Sequence, residues 1–183
     1  MLSDEVLALG IQQGQSGDLV ALVERHDSAL MGYLYRMTGG NRMLSEDMAQ
    51  ETFLRVMQGI ASYQFPRPFK PWLYAIATNL ARNFFKQADT RHTISAQDST
   101  FEQTDDPFIS PEVSVLAYDE SQQVIHALKS LPAHQREVVI LRYYQELSLA
   151  EIAEILNIPV GTVKSRLSLG LRKLREVMEQ QNQ

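Results

Sequence analysis

Residues 147–175 read LSLAEIAEILNIPVGTVKSRLSLGLRKLR, and the fold turns on this stretch. Ser148 followed three residues later by Glu151 is the pattern of a capping box, in which each side chain satisfies the other residue's backbone N–H. Leu147 and Ile152 stand where a hydrophobic staple would fix the start of the helix. Ala153 is small enough for a close helix crossing. Asn157 tolerates the left-handed geometry that ends a helix, and Pro159 starts a second helix while preventing the first from continuing. Two helices joined by so short a turn predict a helix-turn-helix, whose second helix enters a DNA major groove.

Projected at about 100° per residue, that second helix separates into two faces. Val160, Val163, Leu167, Gly170, Leu171 and Leu174 form its expected core side. Thr162, Ser165, Leu169 and Arg172 face the other way, flanked by Gly161, Arg166, Ser168 and Lys173. Short hydroxyls bordered by arginines suit base edges and phosphates. Lys164 to Arg175 contains five basic residues and no acidic one. A solvated basic helix end is the alternative. The capping box and turn, at the right distance upstream, favour a recognition helix.

The rest of the chain limits how such a helix could act. Of its 183 residues 44% are hydrophobic, enough for one large or two small cores. The net charge of −5 argues against a tight autonomous DNA binder, whose affinity rests on basic charge. Residues 1–90 carry eight basic and nine acidic groups, residues 119–183 eight of each, and residues 91–118 one basic against five acidic. The negative excess therefore lies mostly in the middle. With no cysteine there is no disulfide framework and no thiolate metal site. His26, His92, His126 and His134 have no ligand spacing, and no phosphate-binding glycine loop occurs, so neither a metal, a cofactor nor an enzymatic activity is expected. The acidic first ten residues are no signal peptide, and no apolar run is long enough to span a bilayer. A cytoplasmic protein without membrane insertion is expected.

Helical patterns fill residues 1–87, near Asp4–Gln13, Asp18–Met37, Ser45–Ile60 and Pro71–Gln87. Residues 88–114 are polar, acidic and broken by Pro107 and Pro111, and read as a linker. Helices resume near Val115 and again near Pro132. The expected class is all-α: two small helical domains joined by a flexible acidic linker, the second carrying the helix-turn-helix. The boundaries fall at 1–90, 91–114 and 115–183.

Two faces in the first domain stand out. On the third helix, Met48, Ala49, Thr52, Phe53, Val56 and Ile60 form a core side opposite Asp47, Gln50, Glu51, Leu54 and Gln58. Leu54 centred on that polar face fits an interface anchor and a stray surface leucine equally well. On the fourth helix Leu73, Ile76, Ala77, Leu80 and Phe84 are expected to be buried, and Ala75, Thr78, Asn79, Arg82 and Lys86 form a separate stripe beside Trp72 and Asn83. The preceding loop interleaves Tyr63, Phe65, Arg67, Phe69 and Lys70. Aromatic and basic residues together suit single-stranded DNA, although Trp72 and Phe69 fit a core role as well.

The segments SEDMAQETFLR, WLYAIATNLARN and LPAHQREVVILRYYQELSLAEIAEILNIPVGTVKSRL, in that order and spacing, resemble bacterial sigma factors of the extracytoplasmic-function group of the sigma-70 family. The resemblance covers nearly the whole chain. It implies a promoter-specificity subunit with no catalysis of its own, partnered by RNA polymerase core (clamp helices and flap), promoter DNA and an anti-sigma factor. It assigns Asp47, Gln50, Glu51, Leu54 and Arg55 to the clamp helices of the large catalytic subunit. The minus-ten element falls to Tyr63, Phe65, Arg67, Trp72, Asn79, Arg82, Asn83 and Lys86. The minus-thirty-five element falls to Gly161, Thr162, Lys164, Ser165, Arg166, Ser168, Leu169 and Arg172. Ser168 and Leu169 stand where the family often carries an aromatic or histidine and then arginine. A stand-alone dimeric helix-turn-helix regulator is the other reading. It would need a two-fold interface and leaves the Leu54 face and the aromatic loop without a task.

Overall fold

The structure, a computed structural model, describes the backbone of residues 2–94 and 115–181 and the side chains of residues 2–88 and 122–180. Most of the expected linker lies outside the described residues. All regular structure among the described residues is helical: α1 (Asp4–Gln12), α2 (Ser16–Met37), α3 (Arg42–Gly59), a 3-10 turn (Ile60–Ser62), α4 (Phe69–Ile94), α5 (Val115–Lys129), α6 (Ala133–Tyr143), α7 (Leu149–Leu156) and α8 (Val160–Gln181). None of these helices is long and apolar enough to cross a membrane.

Helices α1 to α4 pack on one another, and α6, α7 and α8 form a second group joined by α5. The groups meet where α2 packs on α6 and α4 on α7, and one continuous apolar core runs through both. Leu22, Leu30, Leu34 and Leu73 fill the first part; Val138, Ile140, Leu141, Ile152 and Val163 fill the second. At the α6–α8 crossing, a Cβ on Gly170 would come within 3.0 Å of Val139 Cγ2. Here glycine serves close approach, since Val139 would have to give by a few tenths of an ångström to admit a Cβ, and its own dihedral angles are ordinary helix.

The helix-turn-helix is built as its sequence demands. Ser148 N donates to Glu151 Oε2 at 2.8 Å, and Glu151 N donates to Ser148 Oγ at 3.2 Å, completing the capping box. Asn157 adopts φ 52°, Ile158 N–H bonds Ala153 C=O at 3.0 Å, and Asn157 N–H bonds Glu154 C=O at 3.2 Å. Those two bonds close the helix as a Schellman motif. Pro159 C=O then accepts from Thr162 and Val163 N–H at 2.9 and 3.1 Å, so α8 begins at once.

Several boundaries and faces differ from the sequence reading. α3 starts at Arg42, not Ser45, because the Asn41 side chain accepts from Leu44 N–H at 3.0 Å and caps the helix earlier. Ser45 is buried, its hydroxyl 2.9 Å from Thr38 Oγ1. α4 runs to Ile94, past Gln87 and past the expected domain boundary at 90, since residues 88–94 contain no proline or glycine to stop it. Phe84 is 36% exposed, because the buried stripe of α4 follows Leu73, Tyr74, Ala77, Thr78 and Ala81. Val160 is 39% exposed at the first turn of α8, leaving Val163 as the fully buried anchor of that helix.

Hydrogen bonding from Ser148, side chain first, holds the Glu151 carboxyl below its ordinary pKa against the opposing effect of burial. A depressed folded-state pKa stabilises above the unfolded value of about 4.3 and is lost as pH falls through the folded one. Ser148→Ala should therefore destabilise the chain by about 1 kcal/mol at neutral pH. The gap between wild type and Glu151→Gln in urea denaturation should narrow as the pH drops below about 4.

Candidate nucleic-acid and partner interfaces

The loop between α3 and α4 is held from beneath by α1. Gln12 Nε2 donates to the carbonyls of Ile60 and Tyr63 at 2.7 and 2.8 Å. Glu5 Oε1 accepts from Phe69 N–H at 3.2 Å and satisfies the first donor of α4. Tyr63, Phe69, Trp72 and His26 form an aromatic cluster with ring centroids 5.3 to 5.9 Å apart. Of the two aromatics that fit either role, burial decides one. Phe69 is core, and Trp72 is partly buried against it. Tyr63, assigned to DNA by the resemblance, is 4% exposed, and its hydroxyl donates to the Arg67 carbonyl. Burial and nearby carboxylates, Glu5 foremost, push its pKa up to about 12. The ring of Tyr63 shapes the loop and is closed to stacking, whereas Phe65 is 49% exposed.

Along α4, Asn79, Asn83 and Lys86 are exposed and Arg82 is half-buried. Thr78 does not belong to that stripe. It is fully buried, bonded to Tyr33 Oη at 2.7 Å and to the Tyr74 carbonyl at 2.6 Å. Burial raises the Tyr33 pKa, and the Glu137 charge adds to the rise.

Across the chain, α2 and α3 enclose an open groove of about 530 Å³. Val23, Met31, Phe53, Leu54 and Met57 supply its apolar lining; Asp27, Glu46 and Gln50 supply polar groups. Leu54 is 51% exposed and Met57 49%. Gln50 and Leu54 thus meet in one concavity that α2 completes. Asp47, Glu51 and Arg55 do not line it, and Arg55 Nε pairs with Glu51 Oε1 at 2.7 Å along the helix surface. Met57 and the α2 side of the groove were not found in the sequence, because groove formation depends on how two helices pack.

On α8, Gly161, Lys164, Ser165, Ser168, Leu169 and Arg172 are exposed and Thr162 is half-buried. Arg166 turns inward instead, its Nη1 3.3 Å from Glu137 Oε1. That carboxylate, on α6, is 2% exposed and also binds Arg82, with Nε donating to Oε2 at 2.8 Å and Nη2 to Oε1 at 2.5 Å. The hydrogen bonds to Glu137 raise the Arg82 pKa further above its ordinary value. A third assigned DNA contact, Arg67, is paired with Glu154 of α7. Gln145, buried after α6, accepts from Lys70 Nζ through its carbonyl at 2.7 Å and from Tyr74 Oη through its side chain, and donates to the Ala29 carbonyl at 3.3 Å. Glu137 and Gln145 were missed in the sequence. The available signal was that Ile140 and Leu141, three and four residues after Glu137, are apolar and share its helix face.

Residues 22–91 match the family described as Sigma-70 region 2, and residues 121–174 match Sigma-70, region 4. The chain is 34% identical over 172 residues to the ECF RNA polymerase sigma factor SigW of Bacillus subtilis, covering 91% of each protein. It is 31% identical over 187 residues to the ECF RNA polymerase sigma-E factor of Haemophilus influenzae, covering 97% of this chain and 94% of that one. The fold is similar to that of CnrH, solved in complex with the cytosolic domain of CnrY, with a TM-score of 0.74, 24% identity and coverage of 96% and 97% of the two chains. It is also similar to the sigma factor RpoE solved with the anti-sigma factor NepR from Bartonella quintana, with a TM-score of 0.72, 24% identity and coverage of 88% and 97%.

Thr78→Val removes the partner of a buried tyrosine hydroxyl without touching the exposed stripe. It should cost about 1–3 kcal/mol in urea denaturation and leave promoter preference unchanged. A change of promoter preference at unaltered stability would return Thr78 to the exposed stripe.

Proposed function

The chain belongs to the extracytoplasmic-function sigma factors of the sigma-70 family, RNA polymerase subunits that direct the core enzyme to specific promoters, and from that premise we propose how its surfaces divide the work. The division follows residues 1–90, 91–114 and 115–183: polymerase binding and minus-ten opening, an acidic linker, and minus-thirty-five reading. The protein works in the cytoplasm, has no catalytic residues and acts only through polymerase.

The α2–α3 groove is the polymerase dock. The observation that carries this reading is the pairing of half-exposed Leu54 and Met57 in one concavity with polar groups beside them. Clamp helices of the large catalytic subunit would lay an apolar stripe into it, the helix-in-groove mode of recognition. Asp47, Glu51 and Arg55 belong to its outer surface and tune orientation more than affinity. Phe65 and Trp72 supply aromatic surface for an unstacked minus-ten base, while Asn79 and Asn83 hydrogen-bond base edges. Arg67, Arg82 and Lys86 meet phosphates. On α8, Thr162, Ser165, Ser168 and Leu169 face bases, and Gly161 permits close backbone approach. Lys164, Arg166 and Arg172 hold phosphates. An anti-sigma factor is a partner of this chain as it is of the RpoE relative.

Leu54→Ala combined with Met57→Ala should weaken binding to core polymerase by about 2 kcal/mol or more while circular dichroism shows the chain folded. Wild-type affinity in that folded variant would remove the groove from the polymerase interface.

Leu169, 42% exposed, cannot pair with guanine or phosphate. It can pack on a thymine methyl, the one apolar handle in the major groove. Replacing the contacted thymine by uracil should weaken the wild-type holoenzyme more than the Leu169→Ala holoenzyme. Equal losses in the two would exclude the methyl contact.

A further inference from the structure

We propose that Glu137 is an internal stand-in for DNA phosphate, whose buried carboxylate holds Arg82 and Arg166 together so that the free chain is closed against promoter DNA until its two halves part. The proposal rests on the assignment of those two arginines to DNA given above.

The contact has the chemistry of the ligand it would replace. Arg82 grips Glu137 with two parallel N–H···O bonds, at 2.8 and 2.5 Å, the fork that arginine also presents to phosphate. Arg166 adds a third bond at 3.3 Å from the recognition helix. The two arginines come from the two halves of the protein, and both share Oε1 of one carboxylate. Neither arginine is sealed in, with side chains 36% and 26% exposed, whereas Glu137 is 2% exposed. The cations can therefore swing to an outside anion, and the carboxylate cannot follow them.

Charge arithmetic makes Glu137 the decisive member. With it, two guanidiniums flank an anion and attract across the seam. Without it, two like charges converge on one small volume and repel. Replacing the carboxylate by an amide thus reverses the sign of the contact and does more than weaken it.

The closure is a fitted seam. Arg67 pairs with Glu154 across it, so three arginines assigned to DNA are each held by a carboxylate of the second half. Gln145 plugs into the first half through Lys70, Tyr74 and the Ala29 carbonyl. Glu146, next in sequence, takes φ 56°, a left-handed conformation that costs a non-glycine residue energy and is kept here beside the plug. Among the described residues no buried side-chain polar atom lacks a partner, so the seam satisfies the groups it covers.

Because the chain has no cysteine, Met43→Cys on α3 and Glu179→Cys on α8, both exposed, give a clean labelled pair in the full-length free protein. Glu137→Gln should lengthen and broaden the interlabel distance measured by single-molecule energy transfer. Gln145→Ala, which loosens the other end of the seam without touching an arginine, should do the same and stands in should Glu137→Gln fail to fold. Affinity of the free Glu137→Gln chain for a random-sequence duplex at low salt should rise about tenfold, as expected if the competent fraction grows from roughly a tenth to near one. Assembled with core polymerase, the variant should bind promoters as wild type does. Wild-type distance distributions in both folded variants would overturn the latch. Arg82→Gln in the holoenzyme separates the two ideas. If the distances lengthen in the seam variants but Arg82→Gln opens promoters normally, the assignment of Arg82 to DNA is what fails.

Discussion

Helix α6 is the constraint on which the rest of the structure depends. It is an eleven-residue helix in which five consecutive residues, Glu137 to Leu141, are buried. A helix buried around so much of its circumference must have neighbours on several sides. It finds α2 of the first half on one side and α7 and α8 of its own half on others. Val138, Ile140 and Leu141 are fully buried in that surround. The same burial carries Glu137 inward, and a buried carboxylate requires cations. Arg82 and Arg166 are those cations, one from each flanking group. The helix that unites the core thus also dictates where two of the assigned DNA-binding arginines rest.

Arg136, one residue earlier, performs a complementary task. Its guanidinium donates to the carbonyls of Leu128, Lys129 and Leu131 at 2.9 to 3.0 Å and to Met37 at 3.0 Å. It satisfies the end of α5 and the end of α2 together, carbonyls that a helix terminus leaves without partners. Burial lowers its pKa, though an arginine stays charged throughout the physiological range. Two adjacent charged residues on α6 therefore tie the first group of helices to the second, one through backbone carbonyls and one through arginines.

The helix-turn-helix was legible in the sequence because every signal that builds it is local. Ser148, Glu151, Asn157 and Pro159 act on neighbours within five residues, and each does in the structure what its type predicts. The core face of α3 was legible for the same reason, as Met48, Ala49, Thr52 and Val56 recur at helical spacing. The aromatic loop was only half legible. Composition said that aromatics and cations were concentrated there, but whether a ring faces inward depends on Glu5, Gln12 and His26, which reach it from far away in sequence. Thr78 was misplaced for a related reason. A threonine on a helix reads as polar surface, and only the distant hydroxyl of Tyr33 makes its burial tolerable. Long-range hydrogen bonds leave no periodic trace.

The same distinction explains how an acidic chain can carry DNA-reading surfaces. With 17 basic residues against 22 acidic ones, phosphate attraction cannot come from net charge. It must come from where the cations stand, and here several of them stand against carboxylates. Each such pair lowers the charge offered to a duplex and, at the seam, ties that charge to the relative position of the two halves. Affinity for promoter DNA then depends on what separates those halves. A sigma factor whose basic groups were freely exposed would bind any duplex it met. Under the proposed latch, arginines that are internally paired are reserved for DNA presented together with polymerase, and the acidity of the chain contributes to that selectivity.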